Sequence, residues 1–454
     1  MSDRYDLTII GGGPAGYLAA ERAGEAGLSV ALFEKRALGG VCLNEGCIPT
    51  KTFLNSAKIY SHALHGEAYG VKADGISLDH AAVLARKNKV VAKLVAGVAY
   101  KMKQNKVNVI EAEGKIEGRA DGGIAVTGGG VTVVSERLII AAGSKPVVPS
   151  IPGVVGGMEE GYVYTSREVL DIDHVPNHLA IVGGGVIGLE MADYFATAGA
   201  QVTVVEMLGK IAGPFDAEIS KILQKSLEAK GVRFLLNAKV TEVRKNGVTA
   251  EADGAVEIPC DATLLCIGRR PAPEDLGLEK LNVLVENGAV ATGRHMQTNV
   301  AGVYAVGDIN GKFMLAHTAY REAEVAVNHI LGKADEMDYS AIPSVIYTQP
   351  EAAYVGETEE SAAAKGLEIT VKKLPMAYAG RYVAENERGD GICKLLIDEG
   401  AGRIVGAAII GGYASEIILS AGILADLKIP KESAKRIVFP HPTVGEIIRE
   451  ALFA

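Results

Sequence analysis

Two cysteines stand in a short stretch able to carry redox chemistry: Cys42-Leu43-Asn44-Glu45-Gly46-Cys47-Ile48-Pro49-Thr50-Lys51. Pro49 suits the first turn of a helix, where its missing N–H is an orphan in any case. A thiolate at Cys47 then faces a helix N-terminus, which lowers a cysteine pKa. Only five cysteines occur in 454 residues, so there is no disulfide scaffold, and a pair bracketing a glycine-containing loop suggests a redox couple rather than a staple. Two free thiols, or half of a zinc site, stay open on spacing alone, although no second closely spaced Cys/His pair completes a zinc tetrahedron. Cys260, Cys266 and Cys393 sit in apolar or strand-like surroundings and read as inert core thiols.

A second constellation lies near the C-terminus, His441-Pro442-Thr443-Val444-Gly445-Glu446. Thr443 and Glu446 have the spacing of a helix capping box, in which the glutamate reaches back to the cap. On that reading Glu446 is structural and His441 is a loop histidine.

Positioning these groups falls to a repeat written in glycine. The apolar run Leu7–Ile10 leads into Gly11-Gly12-Gly13-Pro14-Ala15-Gly16 and an Ala-rich helix; after Gly27 a second strand ends at Glu34. Leu179–Val182 leads likewise into Gly183-Gly184-Gly185-Val186-Ile187-Gly188, a helix, Gly199 and a strand ending at Glu206, every counterpart displaced by 172 positions. In such a unit the first glycine makes the tight turn and the second lets the backbone approach a pyrophosphate. The third allows helix to pack on strand, and the acid accepts hydrogen bonds from a ribose. Glu206 is followed by Met207, Leu208 and Gly209 rather than a cation, so a 2′-phosphate would be repelled and NAD is favoured over NADP there. Residues 107–137 and 232–263 alternate as antiparallel meanders, leading to Ala141-Ala142-Gly143 and Cys266-Ile267-Gly268. Beyond about residue 340 the pattern changes to strands and helices without a nucleotide fingerprint.

The chain's 55 glycines are about 12% of its length, against ~7% on average, yet with 16 prolines and 48% apolar residues they are not a disorder or collagen signature. A net charge of −9 gives no nucleic-acid footprint. No apolar run reaches the ~20 residues of a membrane span, and the first strand begins too early for a signal peptide. A soluble, cytoplasmic α/β protein is expected.

The cysteine stretch, both fingerprints, Gly268-Arg269-Arg270-Pro271, Val303-Tyr304-Ala305-Val306-Gly307-Asp308, Met314-Leu315-Ala316-His317 and His441-Pro442-Thr443 together resemble the pyridine nucleotide–disulfide oxidoreductases over essentially the whole chain. The resemblance implies an α/β fold with two Rossmann-like nucleotide-binding domains, for FAD and NAD, each with an antiparallel meander, plus a C-terminal α+β dimerisation domain. The implied boundaries are 1–145 for FAD and the redox disulfide, 146–271 for NAD, 272–340 completing the FAD site, and 341–454 for the interface. It implies FAD on Gly11, Gly13, Gly16, Glu34, Ala142, Gly143 and Asp308, and NAD on Gly183, Gly185, Gly188, Glu206 and Gly268. Cys42 would exchange with substrate and Cys47 would lie beside the flavin. Lys51 would lie next to the flavin ring and pair with Glu190, because a buried ammonium needs a counter-charge. His441 and Glu446 would form a catalytic dyad serving the other subunit of a homodimer.

Within the family the likeness is to members that oxidise dihydrolipoyl groups with NAD⁺, with lipoyl-bearing subunits of 2-oxoacid dehydrogenase or glycine cleavage complexes as partners. Val186 stands where the glutathione-reducing branch tends to place a tyrosine. Gln349 departs from a frequent histidine, with packing at the interface the expected consequence. The alternative is an NADH-dependent reductase of another small disulfide, glutathione-like or of coenzyme A. Metal, nucleic acid and membrane have no place in this reading.

Overall fold

The computed structural model describes residues 3–386 and 390–454. Strand β1 (Asp3–Ile10) is buried over Leu7–Ile10, where its run of apolar residues suits a central strand covered on both faces. It lies parallel to β2 (Val30–Phe33) on one side and to β6 (Val131–Ile140) on the other, with Leu7 opposite Val30 and Arg137. Strand β3 (Asn108–Ile110) adds in parallel beyond β2, and Val303–Ala305 adds in parallel to the second half of β6. The meander is β4 (Lys115–Ala120), β5 (Gly123–Gly128) and β6, antiparallel throughout. It therefore starts later than residue 107: the first apolar run there is a short parallel strand, which alternation over three residues cannot distinguish from a meander strand.

Helix α1 (Pro14–Glu25) opens on Pro14, and its buried face carries Ala15, Leu18, Ala19 and Ala23. The short helix α2 (Gly40–Glu45) follows, then the longer α3 (Cys47–Leu64), of which only the first part, to Thr52, belongs to this unit. Strand β7 (Ser144–Pro146) pairs antiparallel with Arg269–Pro271. These elements belong to one compact unit formed by the chain up to Thr52, Leu84–Val147 and Gly268–Asp338.

The second unit, Phe53–Val83, Val148–Ile267 and Tyr339–Ala454, holds two principal sheets. The parallel one runs Arg233–Leu235, Gln201–Val205, His178–Val182, Ala262–Leu265, Val163–Thr165. Its meander (Lys239–Arg244, Gly247–Glu251, Ala255–Pro259) forms a separate three-stranded sheet, whereas in the first copy the meander shares β6 with the parallel sheet. The other sheet is antiparallel, in the order Ser344–Ile346, Glu351–Gly356, Arg403–Gly411, Ile392–Asp398, Ile369–Pro375. Helices Ala414–Asp426 and Glu446–Phe453 bury Ile418, Ile447 and Ile448 in the same core as Leu395 and Ile409 of that sheet. Buried Lys394 donates to Asp216 at 2.7 Å, and Asp216 caps helix Ala217–Ala229 by accepting from the Glu218 and Ile219 amides.

Candidate active site

The two fingerprints close in the same way. Gly11 and Gly183 have φ of +103° and +106°, and their amides donate to the Phe33 and Val205 carbonyls at 2.8 Å. A Cβ at Gly16 would lie 1.7 Å from the Gly11 oxygen, and one at Gly188 would lie 2.2 Å from the Gly183 oxygen, so helix and strand meet at a distance only glycine permits. The middle positions are different: nothing lies within 4 Å of a Cβ at Gly185, and only Gly40 Cα, at 3.8 Å, approaches one at Gly13. Gly13 and Gly185 sit at the N-caps of their helices with no side chain capping either. The space a side chain would fill, facing uncapped amides, fits a pyrophosphate at each site.

The acids complete each cradle. Glu34 accepts from the Gly12 amide at 2.7 Å and the Arg36 amide at 2.8 Å; Glu206 accepts from the Gly184 amide at 2.7 Å and the Leu208 amide at 2.8 Å. Each carboxylate is thus held rigidly at its strand end, with lone pairs left for a ribose. Beside Glu206, Met207 and Leu208 are exposed, and the nearest downstream ammonium, Lys210, is turned onto the Phe215 carbonyl. Gly143 and Gly268 stand shortly after strands β6 and Ala262–Leu265, both with positive φ.

Cys42 lies on α2, Gly46 ends that helix, and Cys47 is the first residue of α3, with Pro49 in its first turn as expected. The two thiols are within hydrogen-bonding reach: Cys42 is pushed far above the usual thiol range by donating to Cys47 and then by burial, with Lys51 pulling the other way. Cys47 stands at the N-terminus of α3, where the helix dipole favours negative charge. Lys51 lies one turn further along α3. The other three thiols are pushed up by burial, Cys393 to about 12; Cys260 and Cys393 lie in the core as expected, whereas Cys266 is only partly buried.

Asp308, in the turn Gly307–Asn310, accepts from the Ser144 hydroxyl at 2.5 Å, and Arg269 donates to the Ser144 hydroxyl and carbonyl, both at 2.8 Å. Burial pulls the Arg269 guanidinium down, while Asp308 opposes that. Arg269 stands in a sequence motif with no role assigned to it, and Ser144 was not singled out; the antiparallel pairing of Ser144–Pro146 with Arg269–Pro271 brings the two together. In the second unit Glu190 is buried and accepts from the Tyr347 amide at 3.0 Å, and neighbouring Asp193 accepts from the Gln349 amide at 2.9 Å.

His441 Nδ1 lies 2.9 Å from Glu446 Oε1, and Glu446 Oε2 accepts from the Thr443 amide at 2.8 Å. The expected capping box is only half formed. Helix Glu446–Phe453 begins at Glu446 itself, and the Thr443 hydroxyl donates to the Pro440 carbonyl instead of capping. Glu446 thus turns one oxygen to the Thr443 amide and the other to the imidazole. A carboxylate can only accept, so Nδ1 carries the hydrogen and the exposed Nε2 carries the lone pair of a base.

Two glycine cradles and a thiol pair within one chain define a nucleotide-dependent dithiol–disulfide oxidoreductase. Residues 5–323 match the pyridine nucleotide-disulphide oxidoreductase family and residues 342–452 match its dimerisation domain. The chain is 37% identical to a dihydrolipoyl dehydrogenase of Chlamydia muridarum, covering 99% of this chain and 97% of that one. It is 37% identical to a dihydrolipoyl dehydrogenase of Bacillus subtilis, covering 100% and 98%. Among solved structures, the HOCl-induced flavoprotein disulfide reductase RclA of Escherichia coli superposes with a TM-score of 0.87 at 28% identity, covering 99% of each chain. The chain belongs to the pyridine nucleotide-disulphide oxidoreductases, and it is an FAD- and NAD-using enzyme.

Proposed function

We propose that this chain is a dihydrolipoyl dehydrogenase, oxidising dihydrolipoyl groups to lipoyl groups while NAD⁺ is reduced. The observation that carries the reading is the pairing of Cys42 with Cys47 at the start of α3. Gly11, Gly13, Gly16, Glu34, Ala142, Gly143 and Asp308 hold FAD; Gly183, Gly185, Gly188, Glu206 and Gly268 hold NAD. Bound FAD supplies two-electron transfer between the dithiol and NAD⁺.

The protein's own residues account for the sulfur chemistry. With the pair oxidised, one substrate thiolate attacks the Cys42 sulfur and Cys47 leaves as a thiolate, the better leaving group because its charge is stabilised by its position. The second substrate thiolate closes the lipoyl ring, and Cys42 leaves. Two thiol protons are released in all; His441 Nε2, held in the right tautomer by Glu446, takes them one at a time, passing the first to solvent before accepting the second. Lys51 steadies negative charge at Cys42.

A homodimer supplies His441 from the neighbouring subunit. Supporting this, helix Ala414–Asp426 and its C-cap residue expose Leu419, Ile423 and Leu427 at four-residue intervals, an apolar stripe on the dimerisation domain. The partners are lipoyl-bearing subunits of 2-oxoacid dehydrogenase or glycine cleavage complexes. Among the described residues no helix is long and apolar enough to cross a membrane.

Absorbance at the reduced-nicotinamide band tests the reading. Dihydrolipoamide with NAD⁺ should turn over, and glutathione disulfide with NADH or NADPH should be far slower. Preference for glutathione or coenzyme A disulfide would transfer the chain to another branch of the family.

A further inference from the structure

We infer that Glu322 is a positioning residue for Asp308: its buried carboxylate pins both ends of the turn Gly307–Asn310 and so sets where Asp308 meets FAD. The inference rests on the reading of Asp308 as a residue that holds the cofactor. Glu322 lies on helix Ala316–Ile330, one turn beyond Ala319, and is fully buried. Its Oε2 accepts from the Gly307 amide at 2.6 Å and from Asn310 Nδ2 at 2.8 Å, the first and last residues of the turn. Asn310 Oδ1 accepts from the Lys312 amide at 3.0 Å, so the chain leaving the turn is tied as well.

These bonds answer a need that the backbone creates. Gly307 opens a single helical turn, whose first amides have no partner within the turn, and Val306 before it supplies no capping side chain. Buried and unpaired, the Gly307 amide would carry its whole desolvation penalty, and a carboxylate is a strong acceptor for it. Gly307 has φ of +75°, and a Cβ there would lie 3.1 Å from the Ala15 Cβ and 3.4 Å from the Ala319 Cβ. The turn is thus wedged between the start of α1, where the first cradle lies, and the helix that carries Glu322. Gly307, Ile309 and Asn310 are buried, and of the four residues Asp308 alone is partly exposed. Asp308 spends Oδ2 on the Ser144 hydroxyl, and among the described residues its Oδ1 has no hydrogen-bond partner, which leaves that oxygen for the cofactor. With the residues on either side of it fixed by Glu322, the Asp308 carboxylate is held before the cofactor arrives, and less ordering is needed on binding.

The test uses the full-length holoenzyme, diluted at a temperature where circular dichroism shows every variant folded. Flavin appearing in the ultrafiltrate with time gives the rate of FAD release. Asp308→Ala should speed release, which tests the reading of Asp308 by itself. Glu322→Ala should speed it by about tenfold or more, the scale of a hydrogen bond to a charged group. Glu322→Gln, whose amide oxygen can accept where Oε2 does, should restore most of the retention. In the Asp308→Ala background, Glu322→Ala should speed release by no more than about twofold further, because it acts through a carboxylate that is no longer there. If Glu322→Ala does not fold with flavin, Asn310→Ala, which removes one of the two ties, is carried through the same two backgrounds. An unmoved rate, or an equal factor in both backgrounds, overturns the inference. An unmoved rate in Asp308→Ala itself overturns the reading of Asp308, and the inference with it.

Discussion

At the scale of the residue, Glu446 divides its carboxylate between the Thr443 amide and His441 Nδ1. Those contacts, the amide first, hold its carboxyl below the ordinary range. A carboxyl depressed in the folded protein contributes stability that is present above its unfolded value and lost as pH falls through the folded one. Acid titration followed by thermal melting should therefore show a loss below about pH 4.3 that is weaker in Glu446→Gln. His441→Ala should lower dihydrolipoamide turnover by about 10²–10⁴-fold with flavin still bound, as measured by steady-state rates and the visible flavin spectrum. Near-normal turnover would remove the dyad. The pairing of the histidine with the glutamate, five positions on, was legible only through the family resemblance; local spacing alone suggested a capping box. The tie from Glu322 to the turn Gly307–Asn310 was not legible: it joins residues 15 and 12 positions apart, and Glu322 belongs to no motif that implies the turn.

At the scale of the element, the glycines of one fingerprint make opposite predictions. At Gly188 a methyl group collides with the Gly183 carbonyl, so Gly188→Ala should lower the melting temperature of the protein. Gly185 has φ of −79°, open to any residue, and nothing near its Cβ position. Gly185→Ala should melt normally while raising the KM for NAD⁺ by about tenfold or more, the effect of a methyl group in a fitted pocket. Equal melting losses in both would contradict the cradle. The two nucleotide units were readable because each signal is local, a turn, a helix start and a strand end within a few dozen residues. What escaped was the pairing of distant strands: the parallel placement of β3 beside β2, and Val303–Ala305 joining β6, depend on contacts that no local period encodes.

At the scale of the whole molecule, the proposed service of His441 to the neighbouring subunit predicts that association is a condition of activity. Replacing Leu419 and Ile423 together by glutamate should produce monomers by light scattering, with flavin retained and dihydrolipoamide turnover lost. A fully active monomer would place His441 in the service of its own chain. The apolar stripe was present in the sequence at helical spacing, but its exposure could be known only once the sheet had taken the helix's other face, with Ile418 and Ala421 buried. The central claim, that electrons from dihydrolipoamide pass through Cys42 and Cys47, is tested most directly by anaerobic labelling. Oxidised holoenzyme is given dihydrolipoamide, trapped with iodoacetamide and mapped by mass spectrometry. New label on Cys42 and Cys47 alone, with Cys260, Cys266 and Cys393 unchanged, is the predicted result; no new label on Cys42 or Cys47, in an enzyme that forms NADH when a separate sample is given dihydrolipoamide and NAD⁺, would contradict it.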